Sequence, residues 1–404
     1  MQGRMSWKLA CLLAMPVAMA AQGSLLDEIV LHIRDNLDRL PNYTCTMLVD
    51  RSQRLKGEKE FRPLDKVRLE VALVGNQELY AWPGSRQFSD QPLYGMLGDG
   101  MSGTGQFGLY QQTVFLSGVA QLQYAGQEEL NGRRTHRFRY RVSRALSHYE
   151  IRFPGVRDTV GMEGSAWIDA ATLDLARLEI EVREIPSDLP LDSGHSVIDY
   201  ARQRVGAGEF LLPAAAEQRL LSRGMESRNA TTFSGCRAYS TESSLSFDEK
   251  PMTAFAPVEK TPLKIPPGVD VEARLETAFD SATVARGDPF EATVARTARR
   301  AGVAVVPKGA KVSGRVVGVV RSDAPMECAG VILRPERIEF EGREGAFAAD
   351  QVLVEFTGPA GTVNGKCPFT AEPGATIVES HGASFHFKSG KILLWRTAEA
   401  VATR

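Results

Sequence analysis

A period of two in side-chain polarity constrains this chain more than any other feature. In Arg137-Phe138-Arg139-Tyr140-Arg141-Val142 basic and apolar residues alternate strictly, and Arg177-Leu178-Glu179-Ile180-Glu181-Val182-Arg183 repeats the alternation with both charge signs. Successive side chains of a strand point to opposite faces, so each segment has one wet and one dry face. Thr44 to Arg51 shows the same pattern, with Cys45 on one face. Further strands are expected at 67–73, 78–82, 149–153, 164–169, 197–205, 217–223 and 239–247. Hairpin-length gaps separate most of them, which describes one large antiparallel sheet reaching to about residue 250.

Two segments depart from this period. Leu25, Leu26, Ile29, Val30, Ile33, Leu37 and Leu40 recur at helical spacing behind a Ser24–Asp27 capping-box pattern, and Pro41 closes the run. Phe107 to Leu116, with apolar Phe107, Leu109, Tyr110, Val114 and Phe115, predicts a short helix behind the glycine-rich stretch 98–105. That stretch contains GxGxxG spacing, but it lacks a Gly-Lys-Ser/Thr ending and a strand–helix–strand setting. A hinge or a plain surface loop therefore fits it better than a phosphate cradle. Five prolines between 251 and 267 mark an extended linker. Beyond it, short strands at 271–275, 290–294, 311–320, 330–340 and 384–395 fit a small all-β barrel or sandwich.

The N-terminus points to export. Arg4 and Lys8 precede an apolar run of thirteen residues, Leu9 to Ala21, and Ala18-Met19-Ala20 is a small-x-small cleavage pattern. This predicts a cleaved signal peptide over residues 1–20 and a periplasmic or secreted protein. The run is shorter than the roughly 18 to 20 residues a membrane span needs. Cys11 precedes most of the apolar run, the wrong order for a lipoprotein signal. Cleavage leaves Cys45, Cys236, Cys328 and Cys367, an even count that favours disulfides in an exported chain. Three pairings are formally possible, and pairing within each domain is the simplest. No CxxC spacing indicates a metal. With 48 basic and 49 acidic side chains the net charge is -1, so no long-range field draws nucleic acid, and membrane contact is peripheral at most.

No catalytic constellation stands out. The six histidines, at 32, 136, 148, 195, 381 and 386, form no HExxH or other ligand-spaced motif. His136 and His148 read as surface residues of strands, and His381 and His386 as residues on opposite faces of one strand. Ser234-Gly235-Cys236 lacks the GxSxG elbow, and Asp169, Asp174, Asp188 and Asp192 read as turn formers. No enzyme activity, cofactor or metal is expected. Trp82, Phe107, Tyr110, Phe115, Tyr140 and Trp167 are candidate ligand contacts, which would line a cavity if they point into a curved sheet. An ordinary packed core is the competing reading.

One helix, about ten strands, a flexible helical insertion and an export signal make residues 24–250 resemble the LolA/LolB lipoprotein-carrier superfamily, which includes the RseB-type envelope stress sensors. Leu40-Pro41-Asn42-Tyr43-Thr44-Cys45, Gly164-Ser165-Ala166-Trp167-Ile168-Asp169 and Ser234-Gly235-Cys236-Arg237 carry the resemblance. These segments also resemble exported proteins of soil bacteria, acidobacteria in particular. The resemblance implies a mainly β fold in which a curved antiparallel sheet forms an unclosed barrel over 21–250, with 24–40 and 107–116 as plugging helices. It implies an acyl chain, lipoprotein or other hydrophobic ligand in the cavity, and brings the first and last strands together where a Cys45–Cys236 bridge would act. After the linker at 251–267, residues 268–404 form the small β-barrel. There Asp280-Ser281, Gly287-Asp288, Val305-Val306-Pro307-Lys308-Gly309-Ala310 and Gly314-Arg315-Val316 resemble the β-barrel module of TrbI-like secretion-channel components. This implies contact with an envelope protein partner. The alternative role is a structural or assembly component of an envelope or secretion machine, with the barrel filled by its own side chains.

Overall fold

The computed structural model describes residues 15–75, 77–85, 88, 93–97, 109–239, 261–323, 327–351, 367, 369–370 and 372–398. They fall into two compact units, one within 1–64, 70–81 and 87–240, the other within 65–69, 82–86 and 241–404. The fold is mainly β.

The first unit begins with helix α1 (Met15–Asp38). Strands β1 (Tyr43–Leu55), β2 (Arg62–Val74) and β3 (Gln77–Ala81) follow, then the short helices α2 (Leu93–Leu97) and α3 (Leu109–Gln111), the latter continuing as a π-helical turn Gln112–Leu116. Then come β4 (Gln121–Leu130), β5 (Arg133–Val142), the small hairpin β6 (Glu150–Phe153) and β7 (Val156–Thr159), β8 (Gly161–Asp169), β9 (Leu175–Arg183), β10 (Ser193–Val205), β11 (Gly208–Ser222) and β12 (Met225–Ala238). Ten strands make one sheet in the order β3-β2-β1-β12-β11-β10-β9-β8-β5-β4. The path ends on β3 and β4 without joining them, so the sheet is open. The sheet is wound by tight turns such as Asn131-Gly132, both at positive φ, the pair a type I′ hairpin requires between β4 and β5.

One face of this sheet carries the core. Phe138, Tyr140 and Val142 of β5, Ala166 and Ile168 of β8, Leu178 and Ile180 of β9, and Ile198 of β10 pack with Ile29 and Ile33 of α1 and with Tyr110, Val114 and Phe115. In β5 and β9 the intervening residues, Arg139, Arg141 and Glu179, are charged, which is the alternation of the sequence made physical. Helix α1 is fixed by polar contacts as well. Asn36 Nδ2 donates to the Leu211 carbonyl at 3.3 Å and Asn36 Oδ1 accepts from the Leu211 amide at 3.0 Å, so the side chain satisfies a backbone pair of β11. His32 Nε2 lies 2.8 Å from Asp174, whose carboxylate also receives two 2.8 Å hydrogen bonds from Arg202.

The disulfide Cys45–Cys236 joins β1 to β12, beside the register shift between Thr44 and Thr46. It closes a separation of 191 residues, worth about 5 kcal/mol in the chain-entropy picture. Strands 1 and 12 are direct neighbours, so the bridge closes the first-to-last pairing of the sheet.

In the second unit a sheet of nine strands surrounds one core. Its long strands Lys311–Ser322 and Cys328–Phe340 pair with each other, and the latter also pairs with Thr376–His381 and Arg343–Ala346. Trp395, fully buried, is the centre, with Phe290 at 6.3 Å and Phe347 at 5.9 Å between ring centroids. The indole N–H donates to Thr376 Oγ1 at 2.6 Å. Segments 65–69 and 82–86 belong to this unit: Arg68 pairs with Asp288, and Trp82 lies against the guanidiniums of Arg286 and Arg315, 5.6 and 5.4 Å from the ring centre. Gly287, at φ +99°, sits where a Cβ would fall 2.4 Å from the Arg68 carbonyl and 2.6 Å from the Trp82 ring, so no other residue fits. The second disulfide, Cys328–Cys367, spans 39 residues, worth about 4 kcal/mol on the same account.

Several local expectations need correction. Helix α1 runs through Ser24 instead of starting there, because Ala20, Ala21 and Gln22 before it are all tolerated in a helix. Strands β4 and β12 replace what reads as unpatterned sequence, and β11 starts at Gly208. The segment expected as one strand at 384–395 is broken into His386–Phe387 and Ile392–Thr397 by a turn at Gly390, φ +100°. His381 and His386 therefore lie in different strands, and His148 lies in a loop. The glycine-rich stretch 98–105, most of the linker and nearly all of the strand expected at 239–247 lie outside the described residues.

Candidate ligand-binding interior

The inner face of the open sheet is covered by α1 and by 109–116, and its lining residues come from strands far apart in sequence. Of the six aromatic candidates, the fold brings Tyr110, Phe115 and Tyr140 together in one buried cluster. Trp167 is buried too, but it alternates with Ala166 and Ile168 and so lies on the opposite face. There Glu128 accepts its indole N–H, and the Arg137 guanidinium lies 5.1 Å from its ring. Trp82 belongs to the second unit, and Phe107 lies outside the described residues. A period of two decides these placements, and a register known only to within one residue reverses them.

The interior is also more polar than the six aromatics suggest. Tyr43, Tyr80 and Tyr200 are buried, and Tyr149 packs against the same cluster. Tyr140 reaches over Gly164 to donate to the Glu179 carbonyl at 2.8 Å; a Cβ at Gly164 would stand 1.9 Å from that same oxygen. Tyr80 donates to Glu78. Tyr110 and Tyr149 meet edge to face, 5.5 Å between centroids, and hydrogen-bond to each other. Burial pushes the hydroxyls of Tyr43, Tyr80, Tyr110, Tyr140, Tyr149 and Tyr200 up, with Glu78 adding to the effect at Tyr43, Tyr80 and Tyr110. All six are therefore neutral, proton-bearing groups at any physiological pH.

A row of buried polar side chains crosses the same face. Ser196 of β10 pairs with Gln218 of β11, Gln218 with Asn229 of β12, and Asn229 with Arg51 of β1. All four are at most 7% exposed. Tyr149 hydrogen-bonds to Ser196 and Gln218. Sequence reasoning missed this row because each member is an isolated polar residue in a different strand. A polar residue in phase with the apolar positions, such as Gln218 two places after Ala216, was the available signal.

The candidate chemistry elsewhere is structural. Asp174 is buried; burial raises its carboxyl, and the Arg202 and His32 hydrogen bonds more than offset this and hold it below the usual range. Asp169 accepts from the amides of Ala171 and Thr172, the turn-forming role expected of it. Cys328, Cys367 and His381 present ligand atoms within 4.8 Å of one another, but the two sulfurs are bonded to each other and offer no thiolate.

No family model matches the chain, and no curated protein matches it. Among solved structures it is similar to an outer membrane lipoprotein-sorting protein domain from Vibrio parahaemolyticus, at 12% identity and TM-score 0.28, covering 52% of this chain and 92% of that one. A DUF1329 family protein from Desulfovibrio piger is similar at 12% identity and TM-score 0.28, covering 55% and 94%. The MucA/MucB complex of Pseudomonas aeruginosa gives 15% identity and TM-score 0.20, covering 80% and 90%. The assignment of an open antiparallel sheet plugged by helices stands on the chain's own strand order and packing.

Proposed function

We propose that the first unit is a non-enzymatic, exported binding module that takes an acyl chain, a lipoprotein or another hydrophobic ligand against the inner face of its sheet, with 109–116 as a displaceable plug. The carrying observation is the make-up of that plug. It buries Gln111 and Thr113 beside Val114 and Phe115, and it includes a π-helical turn. Such turns are less stable than α-helix and recur at functional sites. A cover whose buried side is part polar gains less from staying docked than an apolar one, because polar side chains add little of the favourable transfer that apolar area gives on burial. The ligand chain would replace Tyr110, Val114 and Phe115 against Phe138, Ile168 and Leu178. The second unit, with its own apolar core, would serve contact with an envelope protein.

Native mass spectrometry with lipid extraction on the oxidised, exported protein tests this. A bound acyl species that disappears in Tyr110→Asp is the expected result. Bare protein after incubation with envelope lipids would leave the self-filled assembly component as the better reading, which the tight packing of Phe115 (5% exposed) favours.

A further inference from the structure

At its Ser196–Gln218 end the polar row on the inner face is flanked by positions without polar side chains. One level along the strands the facing residues are Ile198, Ala216, Thr231 and Val49, and on the other side Gly194, Leu220, Ser227 and Gln53. Ser196 and Gln218 are thus bounded by Ile198 and Ala216 on one side and by Gly194 and Leu220 on the other. Leucine or methionine at 218 would fill the same volume without a polar group to satisfy. Burying a side-chain amide there costs about 1–3 kcal/mol unless both of its ends are hydrogen-bonded.

The two ends of Gln218 are treated differently. Gln218 hydrogen-bonds to Tyr149, and because Oε1 has no partner among the described residues the contact is made by the amide N–H, which donates to the Tyr149 oxygen. Gln218 Oε1 faces the interior with no partner among the described residues, although the residue is 6% exposed. Tyr200 lies along β10 on the same face, 8% exposed, and its hydroxyl makes no well-formed hydrogen bond either, although the Gln111 side chain acts on it against the effect of burial. At the far end of the row Asn229 and Arg51 are engaged in other interactions. The open acceptor therefore sits at the Ser196–Gln218 end, beside Tyr149, and Tyr200 holds a second open hydroxyl four residues along β10 from Ser196.

The kind of group that would satisfy it follows from the inventory of donors and acceptors. An amide oxygen accepts and cannot donate, so its partner must carry an O–H or N–H. A bare hydrocarbon, an ether or an ester cannot fill it. Arg51, the buried cation of the row, lies two strands from Gln218 and is engaged elsewhere, and the charges that bear on the hydroxyls of Tyr110 and Tyr140 are those of Glu78 and Glu179, both acidic. A second anion brought into this low-dielectric interior would meet like charge. The geometry points to an amphiphile with an uncharged, hydrogen-bond-donating headgroup, a hydroxyl or amide, that seats its donor on Gln218 Oε1 while its chain lies among the side chains now covered by 109–116. This deepens the proposed function and rests on it.

The test compares two uncharged probes of equal chain length, a long-chain monoacylglycerol and its O-methylated analogue, which keeps the acceptors and loses the donors. Each displaces an environment-sensitive fluorescent acyl probe from the oxidised protein. A site built around a hydrogen bond rejects an analogue that lacks it, so the ether should bind at least tenfold more weakly, an order-of-magnitude expectation. Gln218→Leu should shrink the difference to about twofold or less, with the free glycerol compound losing affinity and the ether keeping its own. Tyr200→Phe, which removes one hydroxyl and no volume, serves as a second variant whose folding is not in question, and it should reduce the preference in part. Equal binding of both probes by the unmodified protein would overturn the headgroup assignment and leave hydrophobic binding standing. Failure to bind the fluorescent probe at all would remove both.

Discussion

The two cores of this molecule are built on different terms. In the second unit the buried polar groups are matched: Trp395 donates to Thr376, Thr397 Oγ1 accepts from the Val269 amide at 2.8 Å and donates to the Pro266 carbonyl at 2.7 Å, and the Phe385 amide donates to Ser281. In the first unit Gln218 Oε1, Tyr200 Oη and Thr44 Oγ1 lie buried without such matches among the described residues. Matched polar groups specify one packing, whereas unmatched ones hold hydrogen-bonding capacity at a cost in stability. The difference supports the proposal that the first unit binds a ligand and the second serves contact.

Mutation can break this contrast, and the largest effect is expected at Trp395. Trp395→Ala should lower the stability of the second unit by about 3–5 kcal/mol, seen by calorimetry as one transition moving while the first unit's holds its position. Loss of the 191-residue loop closure in Cys45→Ser/Cys236→Ser should cost the first unit about 2–5 kcal/mol, measured by urea unfolding. Gly164→Ala, which drives a Cβ into the Glu179 carbonyl, should cost about 1–3 kcal/mol and displace the Tyr140 hydroxyl.

A paired substitution sharpens the contrast further. Thr376→Val strands the Trp395 N–H and should cost about 1–3 kcal/mol, whereas Gln218→Leu gives up the hydrogen bond to Tyr149 but also removes an unfilled acceptor and should cost less than about 1 kcal/mol. Equal losses in urea unfolding would erase the distinction between the cores.

The smallest effect is a difference in acid response. Asp174 in the first unit is held below its usual range, so its stabilisation is complete above the unfolded value of about 3.9 and is lost as pH falls through the lower folded value. Asp288 in the second unit is raised by burial, against the amide of Ala285 and the charge of Arg68. Its contribution is full below about 3.9 and is lost as pH rises through the higher folded value. Asp174→Asn should flatten the first unit's acid loss, and Asp288→Asn should flatten the opposite slope of the second, both read from midpoints between about pH 3 and 6.

Much of the sheet was legible in the sequence. Strict alternation at 137–142 and 177–183 is enough for β5 and β9, and the apolar spacing after residue 24 is enough for the helix there, although the Ser24–Asp27 pattern does not mark its start. Strand β12 was not legible: Met-Glu-Ser-Arg-Asn-Ala-Thr-Thr-Phe-Ser has few large apolar residues, and its inner positions are Asn229, Thr231 and Phe233. Those residues are strand-like only because β1 and β11 hold them on both sides. The same holds for the candidate interior. Tyr110, Phe115 and Tyr140 could be proposed as aromatic residues near periodic segments, while the Ser196–Gln218–Asn229–Arg51 row exists only in the register of four strands. Trp167 was assigned to the interior by residue type, and alternation with Ala166 and Ile168 places it on the other face.

The most direct test of the central claim is amide hydrogen exchange of 109–116 with and without a long-chain monoacylglycerol. If these residues are a plug displaced by ligand, binding should speed their exchange while the amides of β8 to β10 stay as slow as before. Tight binding with exchange at 109–116 unchanged or slowed would contradict it, and the interior would then be a core filled by its own side chains.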